Sequence, residues 1–131
     1  MKVRLALCSA AVCLASIVLA QVVVAQDAVK TDPKHYSVIS ENDQVRILKV
    51  HYGPHEKSIM HSHPNLAVVY LNDGKGTFTM PDGKKQDFTT KAGDAQFVPA
   101  GIHLPENTGD TGIDLILVEL KTPAKSAMSM K

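Results

Sequence analysis

The chain has 131 residues, enough for one domain of ordinary size, and a formal net charge of only +1. With no tryptophan, three tyrosines, three phenylalanines and no basic block, it gives no support to nucleic-acid binding. Both cysteines, Cys8 and Cys13, fall in the first 25 residues, so residues 26–131 hold no disulfide, thiol ligand or thiol nucleophile.

Residues 1–25 read as an export signal. Lys2 and Arg4 charge the start, an uncharged apolar run follows, and Val23-Val24-Ala25 offers small residues for a cut before Gln26. Val18-Leu19-Ala20 is a second possible cleavage site, and an uncleaved membrane anchor is the rival reading of the same stretch. Neither cysteine follows the small residue that a lipoprotein signal wants, since Leu7 and Val12 precede them. Cleavage leaves a chain with a charge near −1. The expected location is periplasmic or secreted, with no membrane partner once the signal is gone.

Residues 26–34 read as a polar, loosely held lead-in ending at Asp32-Pro33. Residues 35–39 form a first predicted strand, 40–43 a turn, and 45–52 a second strand rich in β-branched residues. Gly53-Pro54 ends it, and residues 56–60 lead into His61-Ser62-His63. Further strands are predicted at 66–71, 76–80, 86–90, 95–98, 102–107 and 113–120. They are punctuated by Asn72-Asp73-Gly74, Pro81-Asp82-Gly83, Gly93-Asp94, Pro99-Ala100-Gly101 and Gly109-Asp110. Eight or nine short strands without a competing helical period predict an all-β, single-domain jelly-roll β-barrel over residues 35–121. Val68, Val69, Leu71, Phe78, Phe97, Ile113, Leu115 and Leu117 are its expected core. Residues 122–131 read as a disordered tail of low complexity.

His61 and His63 stand two residues apart, and side chains two apart on a strand share a face. His103, forty residues on, can close a three-nitrogen metal site from a neighbouring strand. The other reading of the pair is a polar strand start before a Pro64-Asn65 turn.

The same residues resemble the cupins, small jelly-roll proteins built on two motifs. The first runs Gly, five residues, His-x-His, three or four residues, Glu, six residues, Gly; His61, His63 and Gly74 match it. The second runs Gly, five residues, Pro-x-Gly, two residues, His, three residues, Asn; Gly93, Pro99, Gly101, His103 and Asn107 fit it. Three departures stand out. His55 replaces the opening glycine, Ala67 or Val68 occupies the glutamate position, and one residue instead of two separates Gly101 from His103. The resemblance is to small exported single-domain cupins of unassigned role. It implies a metal bound by His61, His63 and His103 without the carboxylate, which favours Fe, Zn, Ni or Cu over Mn. Some thiol dioxygenases of this fold also use three histidines, so catalysis stays open.

The remaining candidates have plainer readings. His51 and His55 are expected at exposed strand ends, His35 at the surface, and Lys57 in solvent. Glu106 should face away from His103, Pro105 and Asn107, while Asp114 and Glu119 are expected as solvent-facing charges on the last strand. Ala67 is expected to share the inward parity of His61, His63 and Asn65, leaving space beside the metal. No serine or cysteine nucleophile arrangement and no phosphate-cradling loop is recognisable. Two functions follow: a binding module that takes a metal, or a small ligand through it, and a metal-dependent oxygenase, isomerase or lyase. For the second, only His55, Asn65 and Gln96 present themselves as acid–base candidates. The catalytic residues and the oligomeric state, with a homodimer possible, stay open.

Overall fold

A computed structural model describes residues 26–122. The signal read at 1–25 and all but the first residue of the tail read at 122–131 lie outside the described residues. The order of elements is α1 (Ala28–Thr31), β1 (Tyr36–Glu41), β2 (Val45–Tyr52), β3 (His61–His63), β4 (Leu66–Tyr70), β5 (Gly74–Thr79), β6 (Lys85–Thr90), β7 (Ala95–Val98), β8 (Gly101–Asn107) and β9 (Ile113–Leu120).

The strands form two antiparallel sheets, one of five strands ordered β1-β2-β9-β4-β7 and one of four ordered β3-β8-β5-β6. The all-β expectation stands, but the sheets stay separate, each with open edges, instead of closing into one hydrogen-bonded barrel. The described chain shows why tight punctuation matters: Gly83 takes φ +83° in the turn between β5 and β6, where its N–H donates to Met80 O at 2.9 Å. At Gly76 the constraint is space, because a Cβ would stand 2.4 Å from the carbonyl oxygen of Glu106 on β8.

Alternation fixes what faces the interior. On β2 the inward residues are Leu48, Val50 and Tyr52; on β4 they are Leu66, Val68 and Tyr70; on β9 they include Ile113 and Leu117. Val69, Leu71 and Phe97 were expected in this core and are not there. Val69 falls on the opposite parity, Leu71 lies past the end of β4 and is half exposed, and Phe97 is 62% exposed on the outer face opposite Ala67. Apolar character alone does not assign a face; the pleat does. Phe78 and Leu115 are only partly buried, because both line an internal cavity.

The lead-in is also a correction. Residues 27–32 are not loosely held: they form a helical turn whose Asp27 carboxylate accepts from the N–H groups of Val29 and Lys30. Ala28 and Asp32 are buried, and Ser62 of β3 donates its N–H to Gln26 O at 2.8 Å. This strap covers the free edge of a three-residue strand.

Candidate metal centre

β3 and β8 pair antiparallel, with His61 directly opposite His103. Alternation then places His63 on the same face as His61. The three side chains each offer a ligand atom, and those atoms all lie within 4.8 Å of one another. The shortened turn before His103 does not move it out of reach, because Gly101 already belongs to β8 and pairs with His63.

Hydrogen bonds fix which nitrogen His61 and His63 present. His61 Nδ1 lies 2.7 Å from Ile59 O, and a carbonyl only accepts, so Nδ1 carries the hydrogen. His63 Nδ1 lies 2.6 Å from Glu119 Oε1 and donates to that carboxylate. In the neutral form of each ring Nε2 is then the lone-pair nitrogen; the two Nε2 atoms are 3.0 Å apart, within hydrogen-bond distance when one of the rings is protonated. His103 Nε2 is buried and finds no hydrogen-bond partner among the described residues. Two facing lone pairs at this distance repel one another unless a proton or a metal cation lies between them. Nitrogens sharing an ion at about 2.0–2.1 Å stand about 3 Å apart, which is the separation of the His61 and His63 Nε2 atoms.

Burial keeps two of these rings neutral. Desolvation, with the charge of His63 second, pulls His61 down to about 4. The same cause, followed by His63 and His61, pulls His103 down to about 3. Neutral imidazole is the form that ligates. The His103 ring is held by stacking on Phe78, with centroids 4.9 Å apart and planes 3° from parallel.

Behind the pair stands a charged group, Glu119, whose place differs from the solvent-facing one expected from the sequence. Glu119 is not solvent-facing; it is 2% exposed and hydrogen-bonded to His63. Its second oxygen accepts from Arg46 Nε at 2.7 Å, and Arg46 also pairs with Asp27. His35 is likewise not at the surface: it is buried, stacked on Tyr52 at 4.3 Å, and bonded to Asp32 and Glu56. A readable signal existed for Glu119 and Arg46. Glu119 shares the parity of Ile113, Leu115 and Leu117, Arg46 shares that of Leu48 and Val50, and the two residues are register partners. For His35, Ser58 and Asp32 no periodic signal exists, since they lie in or beside irregular chain.

The other candidates fall where the bland reading put them. His51 is exposed and bonded to Asp114, and His55 is exposed beside Asp110. Asp114 is partly exposed, and Lys57 reaches Glu106 at 4.0 Å. Asn65 binds the backbone of Ala100. Ala67 is a correction: Leu66, Val68 and Tyr70 face inward, and Ala67 faces out, opposite Phe97 and Val118. The parity was carried through Pro64-Asn65, where the chain passes from one sheet to the other and the alternation resets. Val68 is therefore the inward residue at the cupin glutamate position.

A cavity of about 270 Å³ adjoins the cluster. His63 and His103 form part of its wall, Val68, Leu117 and Phe88 line its body, and Gln96 contributes a polar group. No lysine or arginine is among its lining residues.

These features define a two-sheet β-protein carrying a three-histidine cluster at the wall of an internal cavity. A family model described as a cupin domain matches residues 48–119, and the chain belongs to that family. Solved structures agree on the fold. A cupin domain from Bordetella pertussis Tohama I is 22% identical with a TM-score of 0.62, covering 66% of this chain and 92% of its own. A double-stranded β-helix protein from Klebsiella pneumoniae is 22% identical with a TM-score of 0.53, covering 65% of this chain and 74% of its own. A protein from Bacillus halodurans is 18% identical with a TM-score of 0.55, covering 69% of this chain and 72% of its own. No curated protein matches the chain.

Proposed function

We propose that this protein binds one divalent transition metal through His61, His63 and His103 and presents it to a small molecule in the adjoining cavity. The observation that carries this reading is the convergence of the three histidine rings, each with a ligand atom within 4.8 Å of the others, and with the Nδ1 atoms of His61 and His63 bonded to Ile59 O and Glu119. Three neutral imidazoles suit Fe, Zn, Ni or Cu, and such an ion supplies Lewis acidity and open coordination positions to a ligand. The lining is mostly apolar, with no lysine or arginine and with Glu106 as its one acidic residue, so an anionic group on the ligand would have the metal as its cationic partner.

Elemental analysis of protein purified without a polyhistidine tag or added metal tests the reading. The expected result is about one equivalent of a single transition metal, in keeping with one three-histidine site. Protein that carries none and takes up neither Zn(II) nor Fe(II) would overturn it.

The cavity also favours a second reading, a metal-dependent enzyme acting on a small molecule as an oxygenase, isomerase or lyase. Of the acid–base candidates His55, Asn65 and Gln96 only Gln96 reaches the cavity, and an amide does not titrate; Glu106, the one acidic residue in the lining, is the group through which this second reading would act. Turnover lost on chelation and restored by metal would put this second reading first. From the leader sequence we also propose export to the periplasm or medium. Released protein whose intact mass retains residues 1–25 counts against it.

A further inference from the structure

We propose that the turn formed by residues 27–32 is a positioning element of the histidine cluster, acting on His63 through Arg46 and Glu119 and on His61 through Asp32 and Ser58. The inference rests on the metal-binding reading above.

The first chain of contacts carries charge. Glu119 is buried beneath His63, and burying a carboxylate is costly unless it is paired. Its partner Arg46 is shared with Asp27, so one guanidinium lies between two carboxylates. The group has a net charge of −1, and that excess stands directly behind the ring nitrogen opposite the metal-facing one. Burial alone would raise the Asp27 carboxyl, but the hydrogen bond from Arg46 and those from the backbone of Lys30 and Val29 bring it below its ordinary value. The charge therefore persists at neutral pH. An apolar pair at the register positions of Arg46 and Glu119 would fill the same space with no desolvation cost. Packing does not call for these charges. A cation among the histidines does, because the inward cupin glutamate position holds Val68. Glu119 supplies from behind the ligand the negative charge that a carboxylate ligand would supply in front.

The second chain fixes orientation. Asp32, at the end of the same turn, accepts from Ser58 Oγ at 2.5 Å and from His35 Nδ1 at 2.6 Å. With its proton given to Asp32, Ser58 Oγ offers a lone pair to His61 Nδ1 at 3.3 Å, beside the stronger bond to Ile59 O. Both ligand rings are thus held by their outer nitrogens, and both networks end in one four-residue helix and its caps. Groups behind metal-bound histidines fix the tautomer and raise ligand basicity, and their loss typically lowers metal affinity about 10- to 100-fold.

Chelator competition for Zn(II) and the absorption spectrum of the Co(II) form test this on the full-length protein, with the thermal midpoint followed in parallel. Glu119→Gln keeps a hydrogen-bond acceptor for His63 but removes the charge; the expected Zn(II) affinity is roughly tenfold lower or more, with a shifted Co(II) spectrum. Asp27→Asn keeps the helix cap and removes only the remote charge; the expected loss is about three- to tenfold, since a unit charge acts there at longer range. Asp27→Ser, also a good cap, should match Asp27→Asn, and the double variant Asp27→Asn/Glu119→Gln should lose less than the sum of the singles. Should Glu119→Gln fail to fold, the two Asp27 variants carry the test. Lower thermal midpoints with affinity within twofold of wild type and an unchanged spectrum would show a merely structural role and overturn the inference. A wild-type protein that binds no metal instead defeats the metal-binding reading itself.

Discussion

His61 and His63 differ from His103 in what stands behind them. The pair on β3 is held by polar networks, through Ile59 O and Ser58 for one ring and Glu119 for the other. His103 is held by stacking on Phe78, and its buried Nε2 has no partner among the described residues. Hydrogen bonds fix a tautomer and an angle, whereas an aromatic stack fixes a plane and lets the ring slide within it. The pair is held in a fixed orientation, and His103 is the adjustable member of the cluster.

Removing either member of the pair is the largest perturbation. His61→Ala or His63→Ala should abolish stoichiometric metal, measured by elemental analysis after chelator-free purification. His63→Ala should also destabilise the metal-free fold more than His103→Ala, because it leaves Glu119 buried with one partner fewer. Equal thermal midpoints for the two variants would erase the distinction. His103→Ala should weaken metal binding while leaving a detectable two-nitrogen site. Full metal content in both His61→Ala and His103→Ala would remove the three-histidine site altogether.

Acid should act next, and on the metal-free protein. His61 and His103 titrate lower in the folded chain, near 4 and 3, than an ordinary histidine at 6.5. Between 6.5 and these values the unfolded chain binds protons that the folded chain does not, so stability falls as pH falls through that window. The fall ends only when the folded rings also protonate. Denaturation midpoints of metal-free protein should therefore drop from pH 7 to pH 4.5, and His103→Ala should flatten the curve. A flat wild-type curve would contradict burial as the cause. Ordinary histidines, with a pKa of 6.5, would lose a metal as pH falls through that value; for these two rings the loss moves to lower pH.

The sequence showed the strands and hid the charges. The bounds read for 45–52, 95–98 and 113–120 are those of β2, β7 and β9, because β-branched runs between turn residues report pleated, half-buried chain. The nearness of His61, His63 and His103 followed from spacing and from the cupin resemblance. Glu119 and His35 escaped because a charged residue was assumed to seek solvent, although Glu119 sat on the inward parity and faced Arg46 across β2 and β9. The turn at residues 27–32 escaped because a single helical turn has no period to detect, and its order comes from Asp27, Ala28 and Asp32 meeting tertiary partners.

The smallest expected effect separates neighbouring residues. Val68 lines the cavity beside the histidines, and Ala67 lies on the outer face opposite Phe97. Val68→Glu would bring a carboxylate into the cavity wall at the cupin glutamate position. It should shift relative affinity toward harder ions such as Mn(II), read by competition between Mn(II) and Zn(II). A buried carboxylate is costly without a metal, so the variant should be destabilised when metal-free and recover on metal addition. Ala67→Glu adds the same group one residue away and should change neither metal preference nor metal-dependent recovery. On the outer face its charge meets solvent and the exposed ring of Phe97. Mn(II) preference gained by Ala67→Glu and not by Val68→Glu would mean that the parity of β4 is reversed, and with it the wall of the cavity.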